Sequence, residues 1–69
     1  MDSVKVYYDR KGGTLTVWFG DPRTEYVSEE TGNEVILMKN KEGEVIGFEK
    51  LHFSVPVDEQ LQVDFQAIG

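Results

Sequence analysis

Apolar residues recur at every second position within short runs of this chain, and glycine, proline, asparagine or aspartate cuts each run. That is the period of a half-buried strand, not the 3.6 of a helix, and it constrains the fold more than any other feature. Val4, Val6 and Tyr8 alternate with Lys5, Tyr7 and Asp9, which predicts a first strand over about residues 3 to 9. Asp9-Arg-Lys-Gly-Gly13 then offers a side chain that can bond its own backbone and two glycines free to take positive φ, as a hairpin turn needs. Leu15, Val17 and Phe19 share one face of the next strand, with Thr14, Thr16 and Trp18 on the other; β-branched and aromatic residues suit that pleated surface.

Gly20-Asp-Pro22 stops this strand, because proline cannot donate to a ladder and restricts the residue before it. A shorter strand from Arg23 to Val27 and a polar loop from Ser28 to Asn33 are expected next. Glu34-Val-Ile-Leu-Met38 is almost continuously apolar, as in a central strand covered on both faces. Asn40-Lys-Glu-Gly43 has its glycine where a type I turn followed by a G1 bulge requires positive φ. The last clear strand begins at Glu44, where the even positions Ile46 and Phe48 are apolar; from Leu51 through Phe53, Val55 and Val57 the odd positions are. One extra residue reconciles the two parities, so a β-bulge is expected at Glu49-Lys50. In the tail, Val57, Leu61, Phe65 and Ile68 fit helical spacing, while Leu61, Val63, Phe65 and Ala67 fit a strand. A helical turn after Pro56 followed by a sixth strand is the preferred expectation.

A chain of 69 residues makes one domain, residues 1–69, and buries only roughly 60% of the surface it exposes when unfolded. Small domains compensate with disulfides, metals or oligomerisation. Cysteine is absent and His52 is the one histidine, which removes disulfides and the ligands of structural zinc. Oligomerisation remains, and two copies packed face to face as a sandwich would bury the apolar face that a single sheet leaves uncovered. No cofactor is expected.

The net charge of −6 opposes binding to a phosphate backbone or an anionic membrane, and suits a basic protein partner. The N-terminus has no apolar run of signal-peptide length and no segment approaches the ~20 apolar residues of a membrane span, so a cytoplasmic location is expected. Catalysis has little to draw on. Ser3, Ser28 and Ser54 have only His52 as a base, and a partly exposed strand histidine is the better account of it. Glu29-Glu30 and Asp58-Glu59 fit solvated turns better than paired catalytic acids, which need a cleft. Asn40, Glu42, Gly43 and Glu49 match positions of a calcium loop, but its first ligand position falls on Met38 and strands flank it, so a hairpin is the better account. Tyr7, Trp18 and Tyr26 fall on the strand face opposite Val6, Leu15 and Val17; exposed rings mark interfaces, which makes these three and Glu49 the candidate interaction surface. The competing expectation is a small-ligand or metal-binding enzyme that unites Asp9, Glu49 and His52.

The order and spacing of "VYYDRKGGTLTVWF" and "GNEVILMKNKEGEVIGFEKLHFS" resemble a small prokaryotic family, domain-of-unknown-function family 2283, over residues 4 to 54. Tyr8, Asp9, Leu15, Val17, Gly43, Gly47, Glu49 and Leu51 sit where the family has the same or a similar residue. Gly13, Met38 and Asn40 stand where acidic residues are common, which weakens any carried-over metal site. The resemblance implies a mostly antiparallel β domain without an established activity, with residues 55–69 as an extension. By association it also suggests the small partner of a toxin and antitoxin pair. The expected protein is therefore mainly β, an antiparallel meander of five to six strands with a short helical turn, completed as a homodimer. Its expected role is non-enzymatic interaction, as a regulator or antitoxin-like inhibitor of a basic partner.

Overall fold

The computed structural model describes residues 4–56 together with 62, 63 and 66. The tail expected to form a helical turn and a sixth strand lies outside the described residues. The chain forms one five-stranded antiparallel sheet from β1 (Lys5–Asp9), β2 (Thr14–Trp18), β3 (Val27–Glu30), β4 (Val35–Lys39) and β5 (Val45–Lys50). The mainly β, antiparallel expectation is borne out. Its spatial order is β1-β2-β5-β4-β3: the chain leaves β2, crosses to the far edge, and meanders back until β5 pairs with β2.

The crossing corrects one expectation. Residues 23 to 26 are not a strand; Pro22–Thr24 is a single 3-10 turn, capped by Asp21, whose carboxylate accepts from the Arg23 backbone N–H at 3.0 Å. Proline at the first turn position costs no hydrogen bond there. The third strand instead runs from Val27, the last residue of the strand expected from Arg23, through Glu30 in the expected polar loop, with every residue exposed. An edge strand carrying two glutamates needs no apolar alternation, because little of it is buried.

Register places the side chains. Residues directly opposite in an antiparallel ladder share a face, so one row runs Val6, Val17, Phe48, Leu37 and Glu29 across all five strands. Tyr8, Leu15, Lys50 and Val35 form the next row, and Val27, Lys39 and Val45 a third. This apolar face bears three charged residues. The opposite face carries Tyr7, Thr16, Glu49, Ile36 and Glu30 in one row and Lys5, Trp18, Gly47, Met38 and Ser28 in another.

The bulge lies elsewhere than expected. Thr16 pairs with Glu49 and Leu15 with Lys50 without interruption, whereas Lys39 pairs with Val45 and Met38 with Gly47, which leaves Ile46 as the extra residue. Ile46 is 7% exposed and its carbonyl accepts from both Phe19 N–H and Gly20 N–H, each at 2.9 Å, so the bulge anchors the chain where it departs from β2. The change of parity after Phe48 has another cause. β5 ends at Lys50, and His52 takes the left-handed conformation (φ 55°), so Phe53 is re-aimed against Tyr8 with ring centroids 5.6 Å apart at 88°.

The Asn40–Glu44 hairpin follows its sequence. Asn40 Oδ1 accepts from the backbone N–H groups of Glu42 and Glu44, at 3.1 and 2.9 Å, and Gly43 has φ 83°. The asparagine therefore organises a turn with the oxygen that a calcium loop would have turned on a cation.

Candidate functional site

Tyr7, Trp18 and Glu49 do share one face of the sheet, and Tyr26 stands away from them. Tyr7 is 56% exposed on the edge strand β1, whereas Tyr26, 69% exposed, precedes β3 at the opposite edge. Trp18 is half-buried because it lies on Gly47: a Cβ added to that glycine would stand 2.8 Å from Trp18 Cε3 and 2.7 Å from the Val17 carbonyl oxygen. The glycine makes room for the indole. Glu49 is half-buried and accepts from the Thr16 hydroxyl at 3.4 Å, across the β2–β5 ladder.

Asp9, Glu49 and His52 each have a separate local engagement. Asp9 Oδ1 accepts from Gly12 N–H at 2.9 Å and so closes the first hairpin. Two strand spacings separate β1 from β5, a distance on the order of 10 Å, before any offset along the strands. His52 Nδ1 lies 3.0 Å from Glu34 Oε1, on the turn that follows β5. Among the described residues no three His, Asp or Glu side chains stand close enough to hold a metal ion.

The densest polar cluster of the sheet's far end is one that sequence reasoning missed, centred on Glu34. Its carboxylate meets His52 through Oε1 and Lys50 Nζ through Oε2, at 3.0 and 3.4 Å, while its backbone carbonyl accepts from Leu51 N–H at 2.8 Å. Lys50 Nζ also donates to the Leu51 carbonyl at 3.0 Å. The hydrogen bond from Lys50, then the one from His52, hold the Glu34 carboxyl below its ordinary pKa. Glu34 itself has φ 62°. Glu34 and His52 are the non-glycine residues of positive φ among those described, and they touch. No signal in the sequence singles out Glu34, because Gly32-Asn33 beside it are the residues that ordinarily take this conformation.

Beside the cluster is an open depression of about 180 Å³ lined by Glu30, Gly32, Glu34, Val35, Ile36 and Leu51. It falls short of the roughly 300–1,000 Å³ of small-molecule pockets. The Glu34–His52 pair is exposed, its side chains 54% and 76% open to solvent. Among the described residues no helix is long and apolar enough to cross a membrane.

Comparison with curated proteins and with solved structures gives no match. Among protein families, residues 5–54 match one described as a protein of unknown function, DUF2283. The match begins at the first residue of β1 and extends past the end of β5, taking in the whole sheet. This chain belongs to the DUF2283 family.

Proposed function

We propose that this protein is a non-enzymatic interaction module that works as a homodimer and regulates or inhibits a basic protein in the cytoplasm. The observation that supports it is the state of the apolar face. Val6, Tyr8, Leu15, Val17, Leu37 and Phe48 share that face and are all only half-buried, whereas the buried apolar residues among those described, Met38 and Ile46, belong to the other face and to the bulge. A contiguous apolar surface of this kind is the usual mark of a protein contact. The net charge of −6 favours encounter with a basic partner and disfavours nucleic acid.

Val27 and Val45 allow a test without disturbing the core, since they are 47% and 40% exposed on that face. Capture from native lysate should retain a specific basic protein on the wild-type chain and lose it on the Val27→Asp, Val45→Asp double variant, with circular dichroism confirming the fold. Equal capture by both chains, or by an unrelated acidic protein, would remove the support for this reading.

A further inference from the structure

The second copy has a place to bind. We infer that β1 pairs with β1 of another copy, antiparallel about a two-fold axis at Tyr7, to give one continuous sheet across the dimer; this rests on the homodimer reading above. β1 is an edge strand, and among the described residues its outer side has no ladder partner. An edge is a template for another strand.

The sequence of this edge is self-complementary when reversed. Lys5-Val-Tyr-Tyr-Asp9, set against itself with Tyr7 on the axis, places Lys5 opposite the partner's Asp9 and Val6 opposite the partner's Tyr8. Both ends then gain an opposite-charge pair, and every apolar residue faces an apolar one. The charges are in position to do so: Lys5 is exposed, and Asp9 uses Oδ1 for Gly12 and keeps Oδ2. A two-fold axis perpendicular to the sheet keeps faces in common, so Val6 and Tyr8 extend the apolar face of one copy into that of the next.

The alternatives fare worse. Face-to-face packing, the sandwich expected from composition, would press Glu29, Lys39 and Lys50 into a dry interface, because register places all three on the apolar face. At the other edge, Val27-Ser-Glu-Glu30 has no basic residue of its own to set against a second copy's acids, and the cation beside it, Lys39, is already paired with Glu29 of the same copy at 3.2 Å. Pairing β1 of one copy with β3 of the next is head-to-tail and open-ended, which builds filaments where β1 with β1 closes. Edge pairing also leaves the apolar face accessible to another protein.

The chain has no cysteine, so one introduced thiol reports one contact. Sedimentation should give a dimer, and Tyr7→Cys should link two copies rapidly under mild oxidation or with a short bismaleimide. Tyr26→Cys, more exposed but at the other edge, should link only at the collision rate. Lys5→Glu should raise the dimer dissociation constant about tenfold by placing like charges opposite one another. A dimer in which Tyr7→Cys links no faster than Tyr26→Cys, or in which Lys5→Glu changes nothing, overturns the edge pairing and leaves the homodimer standing. A chain that stays monomeric overturns both.

Discussion

Glu34 and His52 both hold left-handed backbone, at φ 62° and 55°, and their side chains meet at 3.0 Å. Each stands where the chain changes direction, Glu34 just before β4 and His52 just after β5. The Leu51 N–H bond to the Glu34 carbonyl ties the two turns together. A non-glycine residue in this conformation carries a steric cost, and two in contact persist because the surrounding bonds over-determine them. The pair thus works as a clasp that ends β5 and directs Phe53 onto Tyr8.

The clasp has a pH signature. Glu34 is acidified by Lys50 first and His52 second, so its pKa in the folded chain lies below its unfolded value. Its contribution is complete above the ordinary carboxylate range and is lost as pH falls through the folded pKa. Thermal melts of Glu34→Gln should therefore lie below wild type at neutral pH and converge with it under strong acid. A gap of constant size from neutral pH down to strong acid would show that the carboxylate's charge contributes nothing.

Substitutions at His52 test the backbone separately from the ion pair. Glycine and valine both delete the imidazole, but valine must hold a β-branched side chain at φ 55°, where glycine is unstrained. His52→Val is expected to be less stable than His52→Gly by about 1–2 kcal/mol in urea unfolding. Equal midpoints would mean that the turn relaxes out of the left-handed region.

Legibility in the sequence followed locality. β2 announces itself through Leu15, Val17 and their threonine neighbours, and the Asn40–Glu44 hairpin through one asparagine and one glycine, because the interactions that form them lie within a few residues. β3 is silent, since Val27-Ser-Glu-Glu30 lies exposed at an edge and owes its pairing to β4. Alternation assigns Trp18 to the polar face and so reads it as an exposed ring; its partial burial comes from packing over Gly47, whose missing side chain leaves the room, a neighbour visible only once β2 and β5 are known to pair. Glu34 and His52 depend on the same long-range closure. The bulge expected at Glu49-Lys50 is not there: parity showed that β5 could not continue straight but could not distinguish an extra residue from the left-handed turn at His52, and it gave no sign of the bulge at Ile46.

Gly47→Ala should be costly for a single methyl group. The new Cβ would approach the Val17 carbonyl oxygen to 2.7 Å and Trp18 Cε3 to 2.8 Å, and the first of these is backbone in a paired strand. Overpacking of this kind costs about 1–3 kcal/mol. A loss in that range, accompanied by a red shift of tryptophan fluorescence as the ring lifts towards water, is the expected outcome. Unchanged emission would place the strain elsewhere.

Tyr8 joins the segment after β5 to β1 in two separable ways. Its ring packs edge-on against Phe53, and its hydroxyl oxygen accepts from Val55 N–H at 2.8 Å, the bond that returns the segment after β5 to the apolar face. Tyr8→Phe preserves the ring contact and leaves a partly buried amide without its acceptor, which costs about 1–3 kcal/mol if water cannot reach it. Amide exchange separates the effects: Val55 should lose its protection while Val17 and Phe48, paired deep in the sheet, keep theirs. Should all three accelerate together, the hydroxyl would be holding the whole sheet rather than its last segment.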